Sequence, residues 1–112
     1  MIAQPCDVMV LETEDAVAVI VHGDVDRFTA GILIDGLADA ASRSTPTGRR
    51  LVVDLAGADF IGADGLRALV AAAAANTGRG VTLRGVPPLV QRLIARLGFG
   101  PLFTRDEMTV AE

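Results

Sequence analysis

Two β-branched runs, residues 8–11 and 16–22, are separated by the polar break Glu12-Thr13-Glu14-Asp15. A break of that length suits a hairpin, so the chain is expected to open with an antiparallel strand pair. Gly23-Asp24-Val25-Asp26 ends the second strand, and the Asp26 side chain is expected to cap a helix beginning near Arg27 or Phe28. Within that helix Ala30, Leu33, Ile34, Leu37 and Ala41 recur at helical spacing and are expected to face the core. Residues 42–48 (SRSTPTG) read as a surface loop by composition.

Residues 51–54 are nearly continuous in apolar side chains, as expected of a central strand covered on both faces. A loop carrying Asp59, Gly62, Ala63, Asp64 and Gly65 then leads into an alanine-rich helix over about 64–76. Leu66, Leu69, Val70 and Ala73 should face inward, and Arg67, Ala68, Ala71, Ala72 and Ala75 outward. Residues 81–83 form a further short strand. Pro87-Pro88 opens a third helix, in which Leu89, Val90, Leu93, Ile94 and Leu97 make one apolar stripe. Leu102-Phe103 supplies a last edge strand, and the tail 105–112 is expected to be loose. The order is β-β-α-β-α-β-α with a final strand. This is an α/β fold, a small mixed sheet packed with three to four helices, in one domain over 1–112 with its core about 8–104.

Composition narrows the function classes. The net charge of −4, with no basic stripe evident along the chain, gives nucleic acid no electrostatic footprint. No apolar run is long enough to insert directly into a membrane as a span, and no positive charge precedes Arg27, which disfavours a secretory signal. Cys6 is the single cysteine, which excludes an internal disulfide and fits a reducing, cytoplasmic setting. His22 is the single histidine, and no metal or other cofactor is expected. Neither residue has an evident nucleophile or base partner, and no G-x-x-x-x-G-K-[ST] pattern occurs, so an enzyme is not expected.

Two segments resemble the STAS family, the sulfate-transporter and anti-sigma-factor-antagonist domains. Gly23-Asp24-Val25-Asp26-Arg27-Phe28-Thr29-Ala30 is similar to the family's G-[ED]-[LV]-D-x-x-T-A turn into the first helix. Val52-Val53-Asp54-Leu55, followed by Phe60-Ile61-Gly62-Ala63-Asp64-Gly65-Leu66, resembles V-[LV]-D-L…[VF]-x-[FM]-[IM]-D-[ST]-[ST]-G-L. Gly85-Val86-Pro87 and Leu97-Gly98-Phe99 fit the later portion, so the likeness spans nearly the whole chain.

The resemblance implies a regulatory module that binds an anti-sigma factor, which in this family can be kinase-like and phosphorylates the first [ST] of D-[ST]-[ST]-G. Aligning Gly65-Leu66 puts that position at Ala63, with Gly62 before it and Asp64 after it. Alanine has no oxygen to accept a phosphoryl group, so the usual switch is expected to be absent. Asp64 reads either as a helix cap or as a fixed negative charge near the switch position. Asp24, Asp26, Asp59 and Asp64 sit at successive strand-to-helix turns, where they can form an acidic rim for a partner's arginines. Gly62 and Gly65 read as turn glycines that let a partner's backbone approach. With Arg67, Ala68 and Ala71 on the outward helix face, these residues form the candidate partner-binding site. Two alternatives remain on the sequence: a STAS subunit that binds the ATPase of an ABC-type lipid transporter, and a small-ligand or nucleotide sensor. The chain is expected to be a monomer or a weak dimer.

Overall fold

The computed structural model describes residues 6–76 and 80–105. Strands β1 (Asp7–Glu12) and β2 (Ala16–Val25) pair antiparallel in the register Leu11↔Ala18 and Asp7↔His22. The turn between them is closed by Thr13, whose N–H and Oγ1 both donate to the Ala16 carbonyl. Helix α1 (Ala30–Thr47) then crosses to β3 (Arg50–Ile61), α2 (Ala63–Ala75) to β4 (Val81–Arg84), and α3 (Pro88–Arg96) to β5 (Phe103–Arg105). A single 3₁₀ turn, Gly100–Leu102, precedes β5. The sheet runs in the order β1-β2-β3-β4-β5, with β2 to β5 mutually parallel.

That order sets the layers. Crossovers between adjacent parallel strands are right-handed as a rule, and three that advance in one direction carry their helices to the same face of the sheet. The buried side chains agree. Val17, Val19, Val21 and Val25 alternate along β2 with no exposed surface and join Leu51, Val53 and Leu55 in one cluster. Leu33 and Leu37 of α1, Leu69 of α2, and Val90 and Ile94 of α3 pack into that same cluster. The opposite face is only partly covered. It carries Met9 and Leu11 of β1, both nearly half exposed, beside Ile20 and Ala18 of β2.

Several expectations need correcting. Residues 42–48 are not a loop: α1 continues to Thr47 and ends on Gly48, which takes the left-handed conformation (φ 73°). The hydroxyls that make this stretch look loop-like bond back onto the helix. Ser42 donates to the Asp39 carbonyl and Thr47 to the carbonyls of Arg43 and Ser44. Ser44, eleven residues after Leu33 and so on the same face, is buried.

In α1 the inward set is Ala30, Leu33, Leu37, Ala40 and Ser44, while Ile34 is 51 % exposed and Ala41 half-buried. In α2 Ala68 is buried rather than outward, Ala72 is half-buried, and Val70 is half-buried against the core. The third helix does not bury its whole stripe. Only Val90 and Ile94 are buried, and Leu89, Leu93 and Leu97 are exposed. Cys6, just before β1, is packed into the core cluster. The final strand is β5, joined parallel to β4, and tail residues 106–112 lie outside the described residues.

Candidate functional site at the entry to the second helix

The site starts where β2 and β3 end side by side. Val25 pairs with Ile61, and the Gly62 N–H donates to the Val25 carbonyl at 2.8 Å. Strand β3 is longer than the apolar run 51–54 implies, so Asp59 and Phe60 are strand residues and the expected loop shrinks to Gly62. Parallel pairing to β2 as far as Ile61 supplies the backbone partners that hold this less apolar stretch extended.

Gly62 is the N-cap of α2, in extended backbone (φ −86°, ψ −172°), and its carbonyl accepts the first helical bond from Leu66 at 3.0 Å. Asp64 is therefore not the cap. It is the second residue of the helix, half-buried, and its Oδ1 accepts from Arg67 Nη1 at 2.6 Å. A carboxylate in the first turn suits the positive end of the helix dipole. The pair itself is exposed at Arg67 (73 %), and such i,i+3 pairs contribute only about 0.2–0.5 kcal/mol. Its consequence lies in charge: a guanidinium stands directly beside the carboxylate. Ala63, the first helical residue, presents an exposed methyl.

Gly65 is not an open turn glycine. It is buried, and a Cβ there would lie 2.7 Å from Val25 Cγ1 and 3.0 Å from Ile61 Cγ2. The helix is thus pressed onto the paired strand ends, and a partner's backbone has no access at this position.

The first helix enters beside it. Asp26 Oδ1 accepts from the N–H groups of Phe28 and Thr29, and Thr29 Oγ1 accepts from the Asp26 N–H at 2.9 Å. This reciprocal arrangement is a capping box built from Asp and Thr. Asp26 caps as expected, but the cap holds a turn over 26–29 and the α-helix proper starts at Ala30. Thr29 Oγ1 also donates to the Asp24 carbonyl at 2.8 Å, tying the turn to the end of β2. The turn pushes Phe28 outward to 80 % exposure, with the Arg27 guanidinium 4.8 Å above its ring.

Between α1 and α2 lies a groove of about 770 Å³. One wall is Ala30, Ile34, Ala38 and Ala41, and the other is Ala68, Ala71, Ala72 and Ala75. Arg27, Asp64 and Arg67 close the end next to the α2 entry. The small residues keep the wall low, and its size and apolar lining fall in the range of binding clefts. Arg67, Ala68 and Ala71, expected as one outward face, all line this groove, Ala68 at its buried floor. The α1 wall was missed in the sequence, because Ile34 satisfies the helical spacing of a core residue.

The four aspartates come to one end of the sheet but differ in role. Asp26 is spent on the cap and Asp64 on Arg67, Asp24 is half-buried next to Thr29, and Asp59 is exposed on β3 at the register shift between Gly23↔Ala58 and Asp24↔Phe60. Among the described residues no three of His, Cys, Asp and Glu gather at metal-binding distance. His22 is exposed on β2, and burial pushes the Cys6 thiol above its ordinary range, against a hydrogen bond from Thr29. No helix among the described residues is long and apolar enough to cross a membrane.

Residues 8–104 match the family described as Mlab, STAS domain. The chain belongs to the STAS family. Among solved structures, this STAS domain is similar to an anti-sigma factor antagonist from Mycobacterium paratuberculosis, with 27 % identity over 89 % of this chain and 84 % of that one and a TM-score of 0.73. It shares its fold with the anti-sigma factor antagonist SpoIIAA in its unphosphorylated form (15 % identity, 89 % and 88 % covered, TM-score 0.64). The same holds for the phosphorylated Bacillus cell fate determinant SpoIIAA (12 % identity, 89 % and 91 % covered, TM-score 0.64). No curated protein matches the chain by sequence. STAS membership agrees with the two sequence motifs.

Proposed function

We propose that this STAS protein is a binding module that antagonises an anti-sigma factor, docking it at the α2 entry and along the groove between α1 and α2. The observation that carries the reading is the continuity of the two features. The apolar groove opens directly beside Ala63 and Asp64, at the position where the family motif carries its phosphorylated side chain. A partner seated in the groove would touch that position, so a phosphate there would decide whether it can stay. Here the position holds a methyl group, and the neighbouring carboxylate is paired with Arg67 at 2.6 Å. The entry therefore resembles an unphosphorylated surface, and the protein is permanently competent to bind. It performs no reaction of its own.

The test uses the purified protein with an anti-sigma factor captured from the native cell. Ala71→Arg places a long charged side chain on the groove wall, where Ala71 is exposed, so the fold tolerates it while binding drops at least tenfold (~1.4 kcal/mol). Unchanged affinity would move the interface elsewhere. Phosphate incorporated at any serine or threonine of the protein by an anti-sigma kinase and ATP, with loss of binding, would refute permanent competence. Recovery of an ABC-type ATPase in place of an anti-sigma factor would favour the transporter reading of the same surface.

A further inference from the structure

The overall charge of −4 conceals a division of the chain. Residues 65–105 carry six arginines and no carboxylate, residues 1–64 carry four arginines against eleven carboxylates, and residues 106–112, outside the described structure, add three more carboxylates. The sheet order turns this division into geometry. β4, α3 and β5 form one edge of the molecule, and β1, with the N-terminal half, forms the other.

The basic edge also carries an unpartnered apolar ridge. At 100° per residue, Leu89, Leu93 and Leu97 fall within an arc of about 80° on α3. They are 64 %, 37 % and 55 % exposed, beside Val90 and Ile94, which hold the helix to the core. Arg92 and Arg96, both exposed, occupy the flank on the other side of the leucines. Leucines facing outward with arginines along one margin are the arrangement of a helix that lies in a lipid interface, its apolar face in the acyl boundary and its cations at the phosphates. A fluid lipid surface closes around a projecting ridge of any shape, whereas a protein partner must offer a matching groove. Nucleic acid would gain nothing from three leucines.

We propose that the α3 edge docks this protein on an anionic membrane surface, through Leu89, Leu93 and Leu97 with Arg92 and Arg96 at the headgroups. The contact is peripheral and reversible. The acidic half of the domain is turned away from the membrane, and the groove between α1 and α2 belongs to a different site, so the inference stands apart from the anti-sigma reading.

Sedimentation with vesicles tests it. The intact protein is expected to bind phosphatidylcholine vesicles containing about 30 % phosphatidylglycerol, to ignore pure phosphatidylcholine, and to dissociate as salt is raised. Arg92→Gln with Arg96→Gln should weaken binding roughly 25-fold, from the charge loss alone. Leu89→Ser with Leu97→Ser, also at exposed positions, should weaken it by about tenfold or more. Circular dichroism and thermal melts confirm that both pairs remain folded. Four results overturn the proposal: no binding to anionic vesicles, equal binding to neutral ones, or either variant pair binding like the parent. The fourth is salt-sensitive self-association, abolished by the arginine pair while vesicles leave the protein in solution, which would assign the edge to the acidic half of a second copy.

Discussion

Glycine to alanine is the same chemical change at Gly31 and at Gly65, yet the structure demands opposite signs. Gly31 sits in α1 with no heavy atom within 4 Å of the added Cβ. Alanine there reduces the freedom of the unfolded chain and improves helix propensity, a gain of about 0.5–1 kcal/mol. At Gly65 the same methyl would lie 2.7 Å from Val25 Cγ1, about 0.7 Å inside ordinary carbon contact. Val25 has no exposed surface into which to move and, being β-branched, has few rotamers to try. Overpacking of this kind costs about 1–3 kcal/mol, against about 1 kcal/mol of propensity gained, so Gly65→Ala should destabilise by about 1 kcal/mol.

The two variants should therefore differ by nearly 2 kcal/mol, or roughly 8 °C in Tm for a domain of this size. Urea and thermal denaturation of the purified variants measure it directly. Val25→Ala in the Gly65→Ala background should remove part of the clash, giving a coupling of at least about 0.5 kcal/mol in a double-mutant cycle. A Gly65→Ala protein that melts higher than the parent would refute the close approach of α2 to the strand ends. So would a destabilisation that adds to Val25→Ala without coupling.

Asp26→Ala removes the side-chain acceptor of two N–H groups and is expected to cost about 1–2 kcal/mol. Thr29→Ala should show strong coupling to it, since each side chain bonds the other's backbone, and additive losses in a double-mutant cycle would argue against the box. Glu12 accepts from Arg49 and Arg43, which hold its carboxyl below the ordinary glutamate range, Arg49 contributing first. A depressed carboxylate contributes stability above its unfolded pKa and loses it as pH falls through the folded one. The advantage of the parent over Glu12→Gln in urea denaturation should thus be constant above about pH 5 and fade toward about pH 3. An advantage that grows on acidification would reverse the assignment.

The sequence by itself determined the order of elements and most of the faces. Alternating valines in β2 leave only one face to bury, and a three-residue apolar run in β3 requires cover on both sides. The capping aspartate was legible too, because Asp26 acts on N–H groups two and three residues away. Local chemistry of this kind travels with the sequence.

What failed was decided over longer distances. Composition made residues 42–48 a loop, but the burial of Ser44 under the same face as Leu33 and Leu37 extends the helix through them. Periodicity assigned Ile34 to the core and grouped the leucines of α3 in one stripe with Val90 and Ile94, since spacing reports which residues share a face and not whether anything covers it. Asp64 met the composition rule for a cap, yet the long pairing of β3 with β2 moved the helix start to Gly62. The groove between α1 and α2, and the basic leucine edge of α3, exist only because the sheet order sets some helices side by side and leaves another at the margin. Each side chain brings its chemistry to its position; the packing of distant segments decided which of it lies exposed.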